Sequence, residues 1–410
     1  MSNVRTLKEF STLKTGPFGT QFKASEYVPE GIPVINVKNI GYGNIVRDNL
    51  DHISERTRDR LSEHVLQRGD IVFGRKGSVD RHCLITEAEE GWFQGSDCLR
   101  VRITDPAVDP QYVSYYLLSS HVLKAINNAA VGSTMASLNM DIIGDIKITL
   151  PSYEKQCKIA AVLKALDDKR AINTAVNDNL QQMAKTIYDY WFTQFDFPNN
   201  DGKPYRSSGG PMVWDDNLKK EIPQGWTSGQ LSDIANIAMG QSPEGSTYNE
   251  EQNGTVFFQG CTDFGNRFPE PRVYTTAPTR FAKAGDILMS VRAPVGTLNI
   301  ALEDCCIGRG LAALNSKFGS QLHLMYTLVM FKSHFDIMDS NGTTFGSITK
   351  DELYEMKVVI PPAEQMEAFE RMVQPIEQKI KQCELENREL TRQRNWLLPM
   401  LMNGQASVSD

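Results

Sequence analysis

Gly132-Ser-Thr-Met-Ala-Ser-Leu138 and Gly342-Thr-Thr-Phe-Gly-Ser-Ile348 stand 210 residues apart, and the same displacement carries Lys147-Ile-Thr-Leu-Pro151 onto Lys357-Val-Val-Ile-Pro361 and Glu154 onto Glu364. A unit of about half a 410-residue chain is far longer than a solenoid repeat. The duplication therefore predicts two similar domains related by a pseudo-twofold axis. Upstream the likeness thins. Gly69-Asp-Ile-Val-Phe-Gly-Arg75 answers Gly285-Asp-Ile-Leu-Met-Ser-Val-Arg292 at a slightly different displacement.

After each repeated proline comes a helical pattern. Ile159, Leu163, Leu166, Arg170, Asn173, Asn177, Leu180, Ala184, Ile187 and Trp191 step by four and three residues, the seam of a left-handed coiled coil. The second copy gives Phe369, Val373, Ile376, Ile380, Cys383, Asn387, Leu390, Arg394, Leu397 and Leu401. Asn177 aligns with Asn387, a polar pair that either fixes register or faces solvent where the helices diverge. Pro375 lacks a backbone donor and clashes with the preceding turn, which predicts a short helix to about residue 373 and then a longer one. Helices of this composition need a partner, and the economical partner is the other repeat.

The expected architecture is α+β: two similar mixed α/β domains with sheet cores, separated by two long helices pairing as an antiparallel coiled coil. The expected segments are a first domain over 1–150, a first helix over 151–195 and a linker over 196–225. A second domain over 226–360, a second helix over 361–404 and a tail over 405–410 follow. The linker reading rests on the Asn, Asp, Gly and Pro content of Phe195-Asp-Phe-Pro-Asn-Asn-Asp-Gly-Lys-Pro-Tyr-Arg-Ser-Ser-Gly-Gly-Pro211. Ile32-Pro-Val-Ile-Asn-Val37, Asp70-Ile-Val-Phe73 and Asp286-Ile-Leu-Met-Ser-Val291 read as strands. Near the domain ends Thr349-Lys-Asp-Glu352 matches a helix capping box, and Asn139 takes the same cap position in the first copy.

With 40% apolar and 23% charged residues the chain is of the globular kind. It shows neither a secretory apolar core at the start nor a run of about 18 apolar residues, so a cytoplasmic protein without a membrane span is expected. Seven scattered cysteines without a C-x-x-C pair predict reduced thiols and no metal. A net charge of -7 excludes an overall basic coat, so any surface for phosphates must be local. Catalytic signatures are missing: there is no Asn-Pro-Pro-Tyr, no His-Glu-x-x-His, and Gly69-x-x-x-x-Gly74-Arg-Lys lacks the ending of a phosphate loop.

The stretch from Tyr190-Trp-Phe-Thr-Gln-Phe-Asp-Phe-Pro198 through Lys203-Pro-Tyr-Arg-Ser-Ser-Gly-Gly210 to Glu221-Ile-Pro-Gln-Gly-Trp226 resembles the specificity subunits of Type I restriction-modification enzymes. Ile360-Pro-Pro-Ala-Glu-Gln365 and Leu397-Leu-Pro-Met-Leu-Met-Asn-Gly404 are similar too. The resemblance implies a non-catalytic subunit with two variable target-recognition domains, each reading one half of a split site in double-stranded DNA. It also implies helices that dock two adenine-methyltransferase subunits, with restriction subunits joining that core. S-adenosylmethionine, ATP and magnesium would then sit on the partners, with none bound by this chain. The acidic balance would also suit a coiled-coil adaptor without direct DNA contact.

Contacts to DNA call for Arg and Lys toward phosphate and guanine, and Asn and Gln toward adenine. In the first domain the candidates are Arg56, Arg58, Arg60, Arg75, Lys76 and Ser78, within a basic stretch that also holds Arg68 and Arg81. In the second they are Arg267, Arg272, Arg280, Lys283 and Arg292. Each is otherwise an ordinary solvated charge. Ser133, Thr134, Thr343 and Thr344 of the repeated loops are small polar hooks or helix-entry turns. For helix pairing the candidates are Ile159, Leu163, Leu166, Asn177, Leu180 and Ile187 with Val373, Ile376, Ile380, Asn387, Leu390 and Leu397.

Overall fold

In the first repeat the strand Cys98–Ile103 alternates its faces. Leu99 and Val101 enter a core with Leu7, Phe10, Ile71, Phe73 and the helix residues Tyr112, Val113 and Leu117. Cys98 faces the other way, onto Val72, Cys83 and Ile35. A strand buried on both faces lies between a helical layer and a second sheet, and the second repeat does the same. There Ala312 and Leu314 meet Leu324 and Leu328, while Leu311 and Ala313 meet Val256, Leu288 and Ile307. The computed structural model describes residues 3–77, 79–130, 137–340 and 346–408.

The chain forms two compact units, Met1–Arg170 with Glu389–Asp410, and Ala171–Arg388. In the first, one sheet runs in the order Ser11–Thr15, Cys98–Ile103, Ile71–Gly74, His82–Leu84, Tyr42–Gly43. Its second sheet runs Tyr27–Val28, Asp51–Ile53, Ile32–Ile35, Phe93–Gln94. The second unit repeats both: Ala235–Met239, Leu311–Ser316, Ile287–Ser290, Leu298–Ile300 in one sheet, and Tyr248–Asn249, Val273–Thr275, Thr255–Phe258, Cys305–Ile307, Phe281–Ala282 in the other. Even the parallel pair recurs, Val34 beside Phe93 and Phe257 beside Cys306. Two-stranded ribbons close each repeat, Asn3–Thr6 on Lys147–Leu150 and Thr227–Gln230 on Lys357–Ile360. The expected caps form: Ile142 donates its N–H to Asn139 Oδ1 at 2.8 Å, and Thr349 and Glu352 exchange the bonds of a capping box.

The long helices are Tyr153–Tyr188, 36 residues, and Ala363–Met402, 40 residues. The second runs unbroken through Pro375, contrary to the expected stop near residue 373. Val373 and Ile376 on either side of the proline are buried against Tyr188 and Phe369, and this apolar contact holds the helical path across the missing donor. Within the second unit the helices run antiparallel. Asn173 donates to Asn387 Oδ1 at 3.1 Å and to Glu386, while four residues further on Asn177 donates to Glu384 at 2.6 Å. Equivalence by repeat is thus not contact: Asn387 meets Asn173, not its aligned counterpart Asn177.

The segment between the repeats departs from a plain linker. Phe195, Phe197 and Trp226 are buried with Tyr188, Trp191, Phe192 and Phe369. Phe197 stacks on Tyr205 at 4.6 Å and on Trp226 at 5.0 Å. Its turn residues form the bends, as read, but the aromatic residues among them bury too much apolar area to remain in solvent. The hairpin Met212–Asp215 with Lys220–Pro223 follows.

Candidate nucleic-acid interface

Two serines align the two repeats. Ser137 bridges Lys76 in the first and Ser347 bridges Arg292 in the second, 210 residues on. Beside them Leu138 donates its N–H to Arg75 O at 2.9 Å, and Ile348 donates to Val291 O at 2.9 Å. The counterpart of Arg292 is therefore Lys76, not Arg75, which corrects the sequence pairing by one residue. The sequence run misleads because Arg75 and Arg292 are the first cations after each strand.

Around these positions the repeats differ in charge. Lys76 is exposed but paired with Asp97 at 3.0 Å. The place of Asp97 is taken in the second repeat by Gly310, since Arg75 N–H donates to Asp97 O as Val291 N–H donates to Gly310 O. Arg292 is exposed there and forms no ion pair among the described residues. It lines a hollow of about 310 Å³ together with Gln259, Asp263, Arg272 and Arg309. Asp263, nearly buried, accepts from Arg272 at 2.8 Å. Arg309 is exposed and, among the described residues, free of ion pairs. Sequence reading missed Arg309 and Gln259; the signal was Gly308-Arg309-Gly310, a cation held between two glycines.

The remaining candidates scatter. Arg56 is exposed on the short helix Glu55–Arg60, Arg58 pairs with Asp59 at 2.8 Å, and Arg60 pairs with Glu26 and donates to Gln21 O at 2.8 Å. Arg75 is half-buried, while Arg280 and Lys283 are exposed on the second domain. Arg267 does not reach solvent: it is 5% exposed and ion-paired with Glu377, whose other oxygen accepts from Tyr326 at 2.5 Å. Burial is the largest influence and works against the Arg267 charge, but Glu377 and Tyr326 together outweigh it and leave the guanidinium more basic than usual. Ser78, Ser133, Thr134, Thr343 and Thr344 lie outside the described residues.

On the helices, Ile159, Leu163, Asn177, Val373, Ile376 and Ile380 are buried, and Leu166, Leu180, Ile187, Asn387, Leu390 and Leu397 are half-buried. The helices also expose apolar side chains that the seam does not use: Ile172 and Met183 on the first, Met372, Leu385 and Trp396 on the second. Among the described residues no group of three or more His, Cys, Asp or Glu side chains is placed to hold a metal, and no helix is long and apolar enough to cross a membrane.

The family model of the Type I restriction modification DNA specificity domain matches this chain twice, over residues 2–182 and 223–392. The chain belongs to this family. Its two specificity domains are the two copies seen in the fold. A protein of Methanocaldococcus jannaschii carrying the name of the type I restriction enzyme MjaX specificity subunit is 29% identical over 92% of this chain and 88% of its own length. The HindI specificity subunit of Haemophilus influenzae is 22% identical over 90% of this chain and 94% of its own. The crystal structure of a Type-I restriction-modification system S subunit from M. genitalium shares the fold, with a TM-score of 0.59 at 17% identity, covering 98% of this chain and 96% of that one. This specificity chain is thus of the kind that recognises DNA for an enzyme without carrying the catalysis.

Proposed function

We propose that each specificity domain reads one half of a bipartite, asymmetric site in double-stranded DNA, and that the two long helices dock a pair of adenine-methyltransferase subunits. The observation that carries this reading is the charge difference at one shared position of the frame. Lys76 is neutralised by Asp97, whereas Arg292 stands unpaired in a hollow with two further arginines. Two surfaces so alike in backbone and so unlike in charge suit two different half-sites. Restriction subunits complete the assembly, and S-adenosylmethionine, ATP and magnesium act on the partners.

With 50 acidic side chains against 43 Lys and Arg, the chain carries a net charge of -7 that opposes its approach to phosphates. The partners therefore supply much of the phosphate contact, and the apolar residues exposed on the helices supply a docking face, since large apolar side chains on an otherwise charged helix mark interaction surfaces. The test is to express the chain with its methyltransferase subunits and map adenine methylation genome-wide. A split motif with two different halves is expected, with little specific binding by the chain alone. A palindromic motif, or specific nanomolar binding by the isolated chain, would contradict the reading. An assembled complex with no salt-dependent DNA binding would make the chain an adaptor.

A further inference from the structure

The hollow of the second domain holds an arginine, Arg309, whose backbone is clamped between two glycines and whose charge, among the described residues, is free of ion pairs. A Cβ at Gly308 would lie 2.8 Å from Gln259 Cα, and one at Gly310 would lie 2.7 Å from Gln259 O. Only glycine permits this approach, and it presses 308–310 onto the end of the strand Thr255–Phe258. Gly308 N–H donates to Phe258 O at 2.8 Å, Gly310 N–H donates to Gln259 O at 3.2 Å, and Arg309 N–H donates to Ser242 Oγ at 3.3 Å. Arg309 is thus anchored on both sides while it lines the hollow and stays exposed. Arg272 differs, since Asp263 holds it.

The first domain builds the same backbone with other side chains. Gly95 replaces Gly308 and presses on Asn36, the counterpart of Gln259. Arg309 is replaced by Ser96, as the strand registers Cys98 beside Gly74 and Leu311 beside Ser290 show. Lys76 is spent on Asp97. Among the described residues the first domain thus carries Ser96 and Asp97 where the second carries Arg309 and Gly310.

We infer that Arg309 reads a guanine in the half-site of the second domain, and that the first domain has no equivalent reader. This rests on the DNA-reading role proposed above. A guanidinium offers only donors, in a fixed fork. Guanine alone presents two acceptors, N7 and O6, side by side in the major groove, whereas adenine presents an acceptor beside a donor. At about 310 Å³ the hollow has room for about ten waters of about 30 Å³ each, so a base edge enters by displacing solvent rather than protein. A preset backbone is what base reading needs, because a mobile arginine would serve any phosphate equally well.

The test uses the chain assembled with its methyltransferase subunits and a panel of duplexes in which each base pair of the mapped site is replaced in turn. The parent complex is expected to require a G·C pair at one position of the second domain's half-site. Arg309→Lys keeps the charge and loses the fork. It is expected to cut discrimination at that position alone by about 5- to 150-fold, with the salt dependence kept. Arg309→Ala is expected to relax the same position. If either variant instead weakens binding to all sequences equally, Arg309 holds a phosphate and the inference is overturned. It is also overturned if the half-site contains no G·C pair. Failure of the parent complex to select any split site would defeat the DNA-reading role itself, a different result from these.

Discussion

Asp167 and Glu377 occupy equivalent points on the two long helices, 210 residues apart, and each accepts the hydroxyl of an equivalent tyrosine and the charge of an arginine. Tyr115 donates to Asp167 at 2.9 Å and Tyr326 to Glu377 at 2.5 Å. The arginines, however, come from different places. Arg394, on the second long helix, serves Asp167 at 3.0 Å, while Arg267, from the second domain's own loop, serves Glu377. In both units a specificity domain is thereby latched to a long helix through a buried tyrosine, with Arg394 also lying over the Tyr115 ring.

The two latches should differ in strength. The Arg267 and Glu377 side chains are 6% and 11% exposed, against 15% and 30% for Arg394 and Asp167. Glu377→Gln leaves a buried guanidinium without its counter-charge, a change that costs about 3–5 kcal/mol. Asp167→Asn leaves a partly solvated one and should cost less. Denaturant titration of the two variants gives the comparison, and equal losses would refute the ranking.

Acid should loosen both units. His82 and His323 are fully or nearly fully buried, and burial lowers each pKa to about 4 from an ordinary 6.5. The folded chain therefore binds fewer protons than the unfolded one between those values. By linkage, stability rises with pH through that window and is lost as pH falls from about 6.5 to 4. Each histidine accounts for on the order of 3 kcal/mol of stability lost across that window. His323→Leu should flatten the decline between pH 6.5 and 4 relative to the parent in melts at stepped pH. An unchanged slope would mean that other groups control it.

Pro375 offers a gain. Its ring denies the second helix one backbone bond within an otherwise continuous 40-residue element, and the residue itself is exposed. Pro375→Ala restores the donor at a site where no side chain needs to move. An increase in unfolding free energy of up to about 3 kcal/mol is expected, the propensity difference between the two residues in a helix interior. A loss of stability would indicate that the proline fits a curvature the alanine helix does not share.

The duplication, the helix seam and the caps were legible because each follows a local rule: a fixed displacement, a step of four and three, or a capping residue three before its partner. The long-range charge pairing was not. Arg267 reads as one more basic loop residue, and nothing local says that Glu377, 110 positions away, will bury it. The pairing of Arg75 with Arg292 failed for a similar reason. Matching residue types along the sequence gave the wrong equivalence, and only the bridges to Ser137 and Ser347 fixed which cation stands where. Pro375 was misread because a local cost was weighed without the tertiary contact of Val373 and Ile376 that offsets it.

Lys76 and Arg292, equivalent in backbone, should behave differently toward DNA. Lys76 already has Asp97 as a counter-charge at 3.0 Å, so its removal takes an adjoining pair of net charge zero down to a lone carboxylate. Arg292 has no such partner among the described residues, and a phosphate it neutralises releases a counterion. In the assembled complex, Arg292→Ala is expected to reduce the slope of log affinity against log salt by about 1. Lys76→Ala should change it by less. The decisive variant is Asp97→Asn, which keeps the shape of the side chain and frees the lysine. It should steepen the salt dependence and tighten binding at low salt, moving the first domain toward the second in electrostatic behaviour. If Asp97→Asn leaves the slope unchanged while Arg292→Ala lowers it, Lys76 lies away from the phosphates, and the equivalence of the two domains ends at their backbones.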